Sequence, residues 1–172
     1  MKTTRIAAGA AALAAAGLLG AALSGCSVKV ETSKGVPSVS AENLQQSLTE
    51  QLTKAGNAPK SVHCKTDLAG EVGQTATCEI IMTEANTFDA VVNVTSVDGD
   101  TVKFDTSPAL TKEQLQNVVK GMAEAESVAC DTGIEGKVGA VANCTITKDG
   151  AESQNVVGIS KVEGLMMDIS VN

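Results

Sequence analysis

Two cysteine pairs carry the clearest chemistry in this chain. Cys64 and Cys78 bracket the 13 inner residues of CKTDLAGEVGQTATC, and Cys130 and Cys144 bracket the 13 of CDTGIEGKVGAVANC. Thiols can form disulfides, ligate zinc or act as nucleophiles beside a base. Zinc is poorly served here, because no C-x-x-C pair and no histidine partner accompany the cysteines. A redox dithiol of thioredoxin spacing is also absent. His63, the single histidine, adjoins Cys64, and a Cys/His pair serves as a nucleophile in other settings. The matching position of the second pair is Ala129, and an oxidised cysteine offers no thiolate. No catalytic residue is therefore assigned, and a non-enzymatic protein is expected.

Other chemistry is thin. Asp98 with Asp100, and Glu124 with Glu126, are expected in a turn and at a helix end. The stretch VDGD lacks the ligand ladder and closing glutamate of an EF-hand loop. No Gly-x-Ser-x-Gly or glycine-rich phosphate loop is present, so neither metal nor cofactor is expected. Met82, Met122, Met166 and Met167 could line an adaptable groove for a lipid or peptide. Core filling is the favoured reading for them, since the chain has no Trp or Tyr and only two Phe.

The amino terminus, MKTTRIAAGAAALAAAGLLGAALSGC, places Lys2 and Arg5 ahead of an uncharged Ala/Gly/Leu run. That is the layout of an export signal. Leu23-Ser24-Gly25-Cys26 resembles the lipobox of bacterial lipoprotein precursors, which implies cleavage before Cys26 and diacylglyceryl attachment to its sulfur. The expectation is a signal peptide over 1–25 and a lipidated Cys26, with acyl chains such as palmitate in the cell membrane. The protein would then face away from the cytoplasm, and the membrane would be its first partner. Losing Lys2 and Arg5 takes the formal charge from −7 to −9. Such an acidic protein is a poor partner for nucleic acid or anionic head groups. With Cys26 assigned to lipid, four of five cysteines remain in an oxidising compartment. Three pairings are possible, and the repeated spacing favours Cys64 with Cys78 and Cys130 with Cys144.

The text between the cysteines is also repeated. Residues 61–78 laid over 127–144 give nine identities in 18 positions, including Gly70/Gly136, Val72/Val138 and Gly73/Gly139. The chain reads as a tandem duplication. Further on, VVNVTSVDGDTVKF (91–104) aligns with VVGISKVEGLMMDI (156–169), each with an acidic residue and glycine between alternating apolar runs, a hairpin signal. Upstream, Leu44, Leu48 and Leu52 mark one helical face, and Leu115, Val118, Val119 and Met122 mark another. Ser40 is placed to cap the first helix, Thr111 with Gln114 forms a capping box, and Gly56 with Pro59 ends the first helix. The fold class expected is α+β, with two tandem small modules over 40–107 and 108–172. Each would pack a helix on a three- to four-stranded antiparallel sheet with one disulfide. Residues 26–39 have no helical period and read as an acylated tether. Such small modules bury only about 60% of their unfolded surface, so the cystines read as staples.

These features resemble an actinobacterial lipoprotein family known as domain of unknown function 4333. The matching letters are Ser61-Val62-His63-Cys64 through Val72-Gly73 to Cys78, and Ser127-Val128-Ala129-Cys130 through Val138-Gly139 to Cys144. The resemblance implies a cell-envelope lipoprotein of small α+β modules and supplies no catalytic residues. The expected role is an interaction or binding module for an unknown envelope protein, or alternatively a carrier of a lipid or other apolar ligand.

Overall fold

The computed structural model describes residues 26–29, 31–33, 36–84 and 86–172. The expected signal peptide over 1–25 lies outside the described residues. The elements are β1 (Cys26–Lys29), β2 (Glu31–Ser33), β3 (Val36–Val39), α1 (Ala41–Lys54), β4 (Ser61–Cys64), β5 (Leu68–Ala69), β6 (Thr75–Thr83), β7 (Asn86–Asp98) and β8 (Thr101–Leu110). They continue as α2 (Lys112–Ala123), β9 (Ser127–Cys130), β10 (Ile134–Glu135), β11 (Val141–Lys148), β12 (Ala151–Glu163) and β13 (Met166–Val171). The protein is thus a mixed α and β structure, mostly sheet, with two helices and two disulfides.

Both helices form where apolar residues recur every three or four positions and a cap closes the first turn. Ser40 Oγ accepts from the Asn43 N–H at 3.3 Å, and Leu44, Leu48 and Leu52 are buried. Thr111 and Gln114 form the full capping box, with Gln114 N–H donating to Thr111 Oγ1 at 3.2 Å and Thr111 N–H to Gln114 Oε1 at 2.8 Å. Leu115 and Val119 are buried on α2, whereas Met122 is 51% exposed rather than in the core with them. Past α1, Gly56 has φ +81°, which suits a residue without a Cβ.

One sheet has the order β1-β8-β7-β6-β4 with β10 also on β8, and a second has β13-β12-β11-β9. β2, β3 and β5 make a small third sheet. Cys64 lies directly opposite Cys78 in the β4–β6 ladder, and Cys130 opposite Cys144 in the β9–β11 ladder. Each pair is bonded. The buried core is apolar, with Ile80, Val92, Val94, Val102 and Phe104 buried in the first sheet and Ile146, Val157 and Ile159 in the second.

One stretch differs from the sequence expectation. Residues 26–39, expected as a tether, contain three short strands: β1 pairs with β8, and β3 pairs with β5. The pairing is long-range, so no local period announces it. Residues 106–110, TSPAL, continue β8, and α2 begins at Lys112 directly after it. Their outer edge receives β10, with Ile134 opposite Leu110 and Glu135 opposite Ala109.

A similar edge contact lies ahead of α1. The strand just before each helix pairs with the two-residue strand of the following cysteine loop: β3 with β5, and the end of β8 with β10. Gly70 N–H donates to Pro37 O at 2.7 Å and Gly136 N–H to Pro108 O at 2.8 Å. A Cβ on either glycine would overlap that same carbonyl oxygen. The glycines three positions on, Gly73 and Gly139, have a different task, since they hold φ of +89° and +87°.

Candidate functional site

The residues singled out for chemistry do not converge. His63 is exposed on β4, opposite Glu79, and its neighbour Cys64 is bonded to Cys78. Asp98 and Asp100 are exposed at the β7–β8 turn, and Glu124 and Glu126 are exposed just beyond α2. Among the described residues no group of three or more His, Cys, Asp or Glu is placed to hold a metal ion.

The perturbed charges belong to surface pairs. Asp131 lies below the ordinary carboxylate range because the Asn143 side chain donates to it at 2.9 Å, with the Asn143 N–H adding a bond at 3.1 Å. Glu135 is lowered and Lys137 raised by their mutual contact at 2.7 Å. Lys161 is raised by Glu163 at 2.9 Å, with a smaller contribution from Asp168.

The site with shape is a groove between α2 and β13. It has a volume of about 570 Å³. One wall is Asn117, Val118, Gly121 and Met122 of α2; another is Leu165, Met166, Met167, Asp168 and Ile169 at the start of β13. Asn86 and Phe88 of β7 and Leu110 of β8 close the third side. The walls are mainly aliphatic and thioether, with two amides and a single carboxylate, which favours an apolar guest with a few hydrogen-bonding groups. Of the four methionines favoured as core fillers, Met122, Met166 and Met167 line this groove, and Met166 and Met167 also pack against the buried core. Met82 lines a separate, shallower depression with Pro59 and Lys60.

Beside the groove, a side-chain bond joins α2 to the first sheet. Gln114 Nε2 donates to Asp89 Oδ1 of β7 at 2.9 Å, so the start of α2 is tied to the first sheet while its body packs on β9. A second pair of glutamines anchors the cysteine strands: Cys64 N–H donates to Gln45 Oε1 at 3.1 Å and Cys130 N–H to Gln116 Oε1 at 3.0 Å. Sequence reasoning passed over Gln45, Gln116, Gln114 as a bridge, and Asp168. The signal for the first two was present, since Pro37, Gln45 and Leu44 recur as Pro108, Gln116 and Leu115 at one common offset.

No helix among the described residues is long and apolar enough to cross a membrane. No curated protein and no solved structure matches the chain. Residues 21–99 match the family model described as Domain of unknown function (DUF4333), a span that ends just past β7.

Proposed function

We propose that this protein is a non-enzymatic binding module of a bacterial cell envelope, built from two duplicated units and held on the outer face of the cytoplasmic membrane by lipid at Cys26. The groove between α2 and β13 is its binding face. The observation that carries the reading is that groove: an apolar, methionine-lined concavity of about 570 Å³, set where the second unit abuts the first. The lipobox-like letters before Cys26 support the anchor, and the family match over 21–99 supports the resemblance to the lipoprotein family. Because Cys26 is the first residue of a paired strand, the anchor would hold the first sheet close to the bilayer, not at the end of a free tether.

A second reading, a carrier of a lipid or other apolar ligand, draws on the same thioether walls. Native mass spectrometry of the processed protein, expressed with its own leader in an actinobacterial host, separates the two. A mass of the acylated chain with two cystines and no passenger supports display of a binding face. A reproducible noncovalent lipid that is lost on Met167→Lys supports the carrier. An unprocessed, unacylated chain would overturn the anchored reading altogether.

A further inference from the structure

The duplication makes each sheet a template for the other. In the first unit, β1 lies along the outer edge of β8, with Cys26 opposite Phe104, Ser27 opposite Lys103, Val28 opposite Val102 and Lys29 opposite Thr101. The counterparts of Thr101, Val102, Lys103 and Phe104 in the second unit are Met166, Met167, Asp168 and Ile169, all of which line the groove. Among the described residues no strand pairs with the outer side of β13. The groove therefore occupies in the second unit the place that β1 fills in the first.

The backbone there points outward. Ile159 exchanges its hydrogen bonds with the β11 side, as its N–H donates to Ala140 O and its C=O accepts from Gly139 N–H. Ile169 stands opposite Ile159, so the antiparallel alternation turns its N–H and C=O away from β12. Asn172 and Val156 exchange both bonds at the strand end, which turns Val171 outward by the same rule. Burial follows the difference in cover. Val102 and Phe104 are fully buried, while Met167 and Ile169 remain partly exposed. An open, apolar sheet edge is a template for strand addition.

We propose that β13 is the docking edge for an extended strand of another protein, one that alternates apolar with cationic residues. This rests on the binding-module reading above and names its partner class. Charge selects the guest. The edge residue is Lys103 in the first unit and Asp168 in the second, and Asp168 is the groove's sole charged wall. Lys161 stands opposite Asp168 in the ladder but is engaged by Glu163 at 2.9 Å, so it offsets the Asp168 charge only in part. A second copy of the chain would bring its own −7 charge to an already negative edge, which disfavours it as the guest.

The test uses the processed protein in nanodiscs and a synthetic peptide of residues 26–33 carrying Cys26→Ser, Ser27→Lys and Glu31→Lys, read by amide hydrogen exchange and titration. The expected result is slowed exchange at Ile169 and Val171 on saturation. Affinity should fall at least tenfold for the peptide with glutamate at its cationic positions, and at least tenfold for Ile169→Pro. That proline removes an outward N–H that the β12 ladder does not use. Should Ile169→Pro fail to fold, Asp168→Lys serves instead, and it should reverse the preference toward the glutamate peptide. Unchanged exchange at these two amides, or equal binding by the variants, overturns the proposal. So does protection of both amides in the free protein, which would assign the edge to the chain's own residues, or to a second copy if it grows with concentration. A lipid passenger in the native mass spectrum without peptide protection overturns the strand while leaving the groove as a binding face.

Discussion

At the scale of single residues, the loops between the cysteines show why two glycines three positions apart do different work. Gly136→Ala should destabilise by about 1–3 kcal/mol, since its Cβ would meet the rigid Pro108 carbonyl. Gly121→Ala on α2 meets open space and should stabilise by about 1 kcal/mol through helix propensity. Chemical denaturation of both variants checks the pair. The recurrence of Gly70 as Gly136 and of Gly73 as Gly139 was legible from the text alone. Their division into close approach and positive φ was not, because it depends on Pro37 and Pro108 arriving from distant strands.

Asp131 gives a pH prediction of defined sign. Its carboxyl is lowered by Asn143, so the charged form is favoured in the folded state. The stability it adds is present above the ordinary carboxylate pKa and is lost as pH falls through the lowered folded value. An NMR titration should place its midpoint below the usual range, and Asn143→Ala should move that midpoint back up. A midpoint unmoved by the substitution would assign the shift to another cause.

At the scale of elements, helices were the most legible part of the sequence. Leu44, Leu48, Leu52 and the Thr111–Gln114 box give position, face and start from local periodicity. The hairpins at Asp98-Gly99 and Glu163-Gly164 were legible for the same reason, as Gly99 and Gly164 adopt φ of +56° and +60°. β1, β5 and β10 were not, since each is two to four residues long and exists only through a partner far away in sequence. The cystines tie such pairings down. Removing either with paired Cys→Ala substitutions should cost about 3 kcal/mol for a loop of this length, measured in guanidinium. A loss near zero would mean that the glutamine anchors alone hold the cysteine strands. Gln116→Ala should cost about 1 kcal/mol by leaving the Cys130 N–H without its acceptor.

At the scale of the whole molecule, the sequence carried the repeat but not its consequence. Two aligned texts predict two similar units. They do not say that one sheet's edge is filled by the segment before it while, among the described residues, no strand pairs with the outer side of β13. That asymmetry follows from chain order, because the segment that covers β8 precedes the first helix, whereas what precedes the second helix is β8 itself. The same connectivity places α2 against both sheets, and Asp89→Ala should loosen that junction. Its expected signature is faster amide exchange at the start of α2, with the cysteine ladders unaffected.

The most direct measurement is site-resolved hydrogen exchange on the processed protein alone, comparing Val102 and Phe104 of β8 with Met167 and Ile169 of β13. A covered edge and an open one predict slow exchange at the first pair and fast exchange at the second. Equal protection at all four amides would mean that β13 is already occupied, and the account of the groove as a binding face open to a partner would be contradicted.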